Sequence, residues 1–150
     1  MSSEVLNFAV TVSGTYWDRS PQFSILIDGV VVIDDARLTA ADQAQTFNFT
    51  HELTEGDHTL GIHLKNKTTS DTVTENGEIV KDMLLNIVDI TIDDMSIGEL
   101  LWDAEYLLDQ KQWYMGQEID HLDSCVNLGW NGTYQLTFSS PFYIWLLEQM

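Results

Sequence analysis

The chain has 150 residues, 44% hydrophobic and 11% aromatic, enough apolar material for one hydrophobic core and too much for a disordered segment. Its 24 acidic against 6 basic side chains give a formal net charge of −18. That balance excludes nucleic acid and anionic membranes as partners, because both require clustered Lys and Arg. Cys125 is the single cysteine, so these residues hold no internal disulfide.

The opening MSSEVLNFAV has no basic segment followed by an apolar run, so no signal peptide is expected. Period-two alternation then dominates. Leu6, Phe8, Val10 and Val12 share one face, and Phe23, Ile25 and Ile27 repeat the pattern up to the hairpin dipeptide Asp28-Gly29. Phe47, Phe49 and Leu53 form a third row, and Glu55-Gly56-Asp57 turns the chain into Leu60, Ile62 and Leu64. The stretch 65–81 is polar and aperiodic and reads as a long loop. Leu84, Val88, Ile90 and Ile92 read as the next inward row, and Tyr134, Leu136 and Phe138 as the last. Between them, 97–109 carries leucines at roughly helical spacing and fits either a short helix or an irregular strand. Many short strands with polar turns predict an all-β, jelly-roll-like antiparallel β-sandwich, 1–150 forming a single domain. The segment 141–148, beginning Pro141-Phe142-Tyr143-Ile144-Trp145, is apolar at almost every position. Its residues Phe142, Tyr143, Trp145 and Leu147 are candidates for docking onto a partner subunit.

Two clusters carry candidate ligand chemistry. Tyr16, Trp17 and Asp18 place aromatic faces beside hydrogen-bonding groups, a pairing that suits the apolar face of a pyranose. Asn66, at the start of the polar loop, joins them as a candidate glycan contact. Asp71, Glu75, Glu78 and Asp82 supply carboxylates for an improvised cation site. The spacing is not an EF-hand loop, since Val73 holds the third ligand position and Gly77 falls one place late. His51, His58, His63 and His121 lack the paired short spacings of a zinc site. Asp34-Asp35 and Asp93-Asp94 are not catalytic pairs, because neighbours on a strand point to opposite faces. With no nucleophile elbow or phosphate-binding glycine loop either, the chain reads as non-enzymatic.

Three stretches, PQFSILIDGVVV, LTEGDHTLGIHLKN and KDMLLNIVDITIDD, carry a likeness across residues 13–94. Together they resemble the calcium-dependent xylan-binding type of carbohydrate-binding module. The resemblance implies a β-sandwich, a calcium cofactor and a glycan ligand. Where that family has Asn-Asp after the His-led strand, this chain has Asn66-Lys67, and a lysine there opposes a metal.

The leading expectation is a structural or adhesive component of a larger assembly, a phage virion, exposed at the particle surface and contacting other protein subunits. A free-standing calcium-dependent module binding cell-surface glycan, extracellular or cytoplasmic, is the alternative. A third reading is an acidic inhibitor or mimic that binds a basic partner.

Overall fold

The computed structural model describes residues 2–150. The first half supplies β1 (Ser3–Thr15), β2 (Gln22–Ile27), β3 (Val30–Arg37), β4 (Gln45–Thr54) and β5 (Gly56–Leu64). A small hairpin, β6 (Val73–Glu75) and β7 (Glu78–Lys81), precedes β8 (Leu84–Ile92) and β9 (Met95–Ser96). The second half adds β10 (Glu105–Tyr114), β11 (Gln117–Asp123), β12 (Asn127–Leu128), β13 (Gly132–Ser140) and one helix, α1 (Phe142–Gln149).

Two antiparallel sheets pack face to face. One runs β12-β8-β1-β4 with β9 added on β8, and the other runs β11-β10-β13-β5-β2-β3. The alternation read from the sequence selects their inner faces. Leu6, Phe8, Val10 and Val12 of β1 are buried, as are Phe23, Ile25 and Ile27 of β2. Leu60, Ile62 and Leu64 of β5 and Tyr134, Leu136 and Phe138 of β13 complete the opposing layer. Fully burying a side chain of this size stabilises the fold by about 1.5–3 kcal/mol. Phe8 stacks on Phe49 with ring centroids 4.8 Å apart and meets Phe138 edge-on at 6.1 Å, tying the two sheets together. Asp28 and Gly29 both take positive φ (52° and 78°), the type I′ geometry that keeps the β2–β3 strands in twist.

Two expectations need correction. The inward row of β8 is Leu85, Ile87, Ile90 and Ile92, not Leu84, Val88, Ile90 and Ile92. Val12 pairs with Ile87 and Thr11 with Asp89, so Val88 is the extra residue of a bulge and lies exposed. A bulge shifts the alternation by one, which strict period-two reading cannot see. The 65–81 segment is not all loop: it holds the 3-10 turn Thr69–Asp71 and the β6–β7 hairpin. The 97–109 segment, left open between a short helix and an irregular strand, resolves as a 3-10 helix, Gly98–Asp103, followed by the start of β10.

The apolar C-terminus is helical. Phe142 is only 1% exposed and belongs to the core, packed on Phe138 at 6.5 Å and Trp145 at 5.8 Å. It is therefore unavailable to a partner, and Trp145 is itself half-buried on Phe138. Tyr143, Ile144 and Leu147 face solvent. Glu4 anchors the helix start, its carboxylate accepting the Phe142 N–H at 2.8 Å and the Ser140 hydroxyl.

Candidate functional site

The site grows out of a mismatch in strand length. β10 pairs with β13 only from Glu105 to Leu108, yet continues to Tyr114 paired with β11. Beyond Leu108 the two strands form an arm that stands off the sandwich. Its tip is the Met115-Gly116 turn, with φ of 51° and 82°.

The base of the arm is fixed by a close approach. A Cβ on Gly132 would lie 2.5 Å from the Leu107 carbonyl oxygen and 3.0 Å from the Leu108 Cα, so only glycine lets β13 meet β10 there. The turn before it, Gly129-Trp130-Asn131, is held from several sides. The buried Tyr106 hydroxyl donates to the Trp130 carbonyl and accepts the Trp130 N–H at 2.9 Å. Burial pushes the Tyr106 phenol well above its ordinary range, keeping it a neutral donor. Asn131 accepts the Lys67 N–H at 2.7 Å, donates to the Lys67 carbonyl at 2.9 Å, and its own carbonyl accepts the Asp109 N–H at 2.9 Å. One asparagine thus sets the spacing between the arm and the polar loop.

The result is an open cleft of about 690 Å³, within the usual size of a small-ligand site. Asp109, Gln110 and Gln112 of the arm form one wall, and Lys67, Thr68, Thr69 and Thr72 of the loop form the other. Trp130 and Asn131 lie between them, and Tyr114 braces Trp130 edge-on at 5.9 Å. His63 bonds the Asp109 carboxylate at 2.7 Å at the margin. Beside the charged Asp109 and Lys67, the cleft therefore offers amides, hydroxyls and one aromatic ring, groups that suit a hydroxyl-rich ligand. By strand alternation Trp113 points away from the face that carries Gln112 and Tyr114, and it is 73% exposed.

The residues singled out in the sequence lie beside this cleft and mostly serve the loop. Trp17, half exposed, donates its indole N–H to the Asp71 carbonyl at 3.0 Å and carries the Lys81 ammonium 4.8 Å from its ring centroid. Asn66 is spent structurally, accepting the Gln22 N–H at 2.8 Å and donating to the Ser20 carbonyl at 3.1 Å. Tyr16 packs against the core, while Asp18 is exposed and adds to the field at Arg19. Trp102, Trp113 and Tyr114 are all substantially exposed. The sequence reading missed Trp130, Gln110, Gln112 and Asn131. A tryptophan flanked by glycine and Asn-Gly was the available signal.

The four candidate metal ligands are not brought together. Asp71 is buried under Arg19, whose guanidinium reaches Oδ1 at 3.0 Å and Oδ2 at 2.8 Å and also the Asn66 carbonyl. That hydrogen-bonded pair, with Thr68 donating from backbone and hydroxyl, outweighs burial and holds the Asp71 carboxyl down at about 2. Asp82 Oδ1 accepts the Lys67 ammonium at 2.6 Å, the Thr72 hydroxyl at 2.7 Å and the Met83 N–H at 2.8 Å. Burial opposes the charge of Asp82, but these three donors prevail and keep its carboxyl below the usual range. Glu75 and Glu78 face each other across the exposed β6–β7 hairpin. Calcium takes six to eight oxygen ligands. Among the described residues no group of three or more His, Cys, Asp or Glu side chains converges to hold a metal ion. The residues present do not fit calcium.

No protein-family model matches the chain, and neither does any curated protein. Two solved structures share its fold. vCBM60 in complex with galactobiose superposes with a TM-score of 0.54 at 15% identity, covering 87% of this chain and 96% of its own. The selenomethionine form of vCBM60, from work linking two families of calcium-dependent carbohydrate-binding modules by circular permutation, gives 0.55 at 12% identity over 87% and 89%. The chain has the β-sandwich fold of these modules.

Proposed function

We propose that this chain is a non-catalytic carbohydrate-binding module whose cleft takes a neutral glycan. The observation that carries the reading is the polar cleft around Trp130, built on a sandwich with the fold of a module seen with galactobiose. Gln110, Gln112 and the loop threonines would hydrogen-bond ring hydroxyls, while the Trp130 ring would cover an apolar sugar face. Each such hydrogen bond contributes about 0.5–1.5 kcal/mol net. Asp109 at the margin and the net charge of −18 disfavour uronate-rich or sulfated chains.

Affinity electrophoresis through gels containing soluble galactan or xylan tests the reading. The wild-type chain should be retarded by at least one neutral polysaccharide. Gln112→Ala, an arm-wall change outside the core, should weaken binding several-fold to about tenfold. Mobility unchanged in every neutral polysaccharide would refute the proposal.

A second reading, membership of a larger assembly such as a phage virion, is favoured by a different surface. Tyr143, Ile144 and Leu147 of α1 lie exposed, and a shallow depression joins the helix end to Trp102. Mass spectrometry of purified particles tests it, and absence of the chain from them would refute it.

A further inference from the structure

The structurally similar module belongs to a calcium-dependent class, yet in this chain the carboxylates that would attract a divalent ion already hold positive charges of the chain's own. We infer that Lys67 is a resident cation: its ammonium, seated against Asp82 and the Met83 carbonyl and seconded by Arg19 on Asp71, assembles the 65–83 segment with no divalent metal.

The geometry is that of a filled seat. The Lys67 Nζ lies 2.6 Å from Asp82 Oδ1 and 2.6 Å from the Met83 carbonyl oxygen, and its side chain is only 9% exposed. Asp82 Oδ1 also takes the Thr72 hydroxyl, so one ammonium links three points along the segment. The Lys67 backbone is clamped on both its N–H and its carbonyl by Asn131, leaving the side chain little freedom to swing out. Arg19 braces the first part of the loop by bridging Asp71, the Asn66 carbonyl and Thr68.

The distribution of charge argues the same way. The chain has six basic side chains, and Arg19, Lys65, Lys67 and Lys81 are four of them. Arg19 holds Asp71, Lys65 holds Asp34 and Asp35, Lys67 holds Asp82, and Lys81 lies over Trp17. In so acidic a chain, scarce cations gathered at the ends of one loop mark that loop as the place where positive charge is required. A divalent ion at Asp82 would have to displace a buried ammonium that is already hydrogen-bonded. The wall of the cleft formed by this loop is therefore preformed, and this holds whether or not the cleft binds glycan.

Thermal unfolding without any sugar tests the inference. The wild-type melting temperature should be the same in chelator, in millimolar calcium and in millimolar magnesium. Lys67→Met, which leaves the partly buried Asp82 carboxylate with its two neutral donors but no counter-charge, should lower the melting temperature by about 5 °C or more. The double variant Lys67→Met/Asp82→Asn removes both charges and should melt above Lys67→Met alone, a pattern that stays readable if the single variant fails to fold. A calcium-selective rise in the wild type would overturn the inference. So would a Lys67→Met protein as stable as the wild type, or a double variant no more stable than Lys67→Met.

Discussion

At the scale of single residues, polar side chains around the loop act as ties and leave recognition to their neighbours. Asp71 is the clearest case, since its carboxyl sits at about 2 in the folded chain against an ordinary 3.8. A depressed carboxyl adds stability that is complete above its unfolded value and is lost as pH falls through its folded one. The side chain is almost wholly buried, so the contribution is about 2 kcal/mol, disappearing between roughly pH 4 and pH 2. Urea denaturation across that range should show the loss, and Asp71→Asn should flatten it while lowering stability at neutral pH. Trp17 and Asn66 drew attention as sugar contacts for their chemistry, but one indole N–H and one side-chain amide are committed to backbone groups. Residue type alone does not tell whether a polar group is free or already satisfied. Only the partner, far off in sequence, decides that.

At the scale of elements, the strands were legible wherever the alternation was regular, as in β1, β2, β5 and β13. It failed at Val88, where a bulge inserts one residue, and in the 65–83 segment, where a 3-10 turn and a small hairpin carry little apolar pattern. The C-terminal helix was half legible: its apolar composition was plain, but which positions reach the core depends on Phe138 behind it. The arm was invisible in the sequence: the leucines of 97–109 fit a helix or an irregular strand, and nothing in the pattern tells that β10 pairs with β13 along less than half its length. Its placement rests on Gly132. Gly132→Ala forces a methyl group against the Leu107 carbonyl and the Leu108 backbone, neither of which is a flexible side-chain end. A loss of about 1–3 kcal/mol is expected, read by chemical denaturation. Backbone amide exchange should rise first along β10 and β11, since that is the contact the methyl group pries apart.

At the scale of the whole molecule, fold and charge support different conclusions. The sandwich is shared with a carbohydrate-binding module, and a sandwich alone specifies no ligand. The ligand reading comes from the cleft that the arm and the loop enclose, and the charge distribution explains how that loop stands without metal. Four of the six basic side chains, Arg19, Lys65, Lys67 and Lys81, are spent on ion pairs or on an aromatic face in and around the loop region. Trp130 lies in the cleft, Trp17 over the loop, Trp113 on the far face of the arm, and Trp102 and Trp145 near α1. Those five indoles report separately on every surface under discussion.

The most direct measurement is therefore a nitrogen–proton spectrum of the five indole N–H groups, recorded in chelator while galactobiose and then xylo-oligosaccharides are titrated in. A saturable movement of the Trp130 signal, with Trp102 and Trp113 unmoved, is the predicted result. A Trp130 signal that stays fixed with every neutral sugar would contradict the cleft as a glycan site.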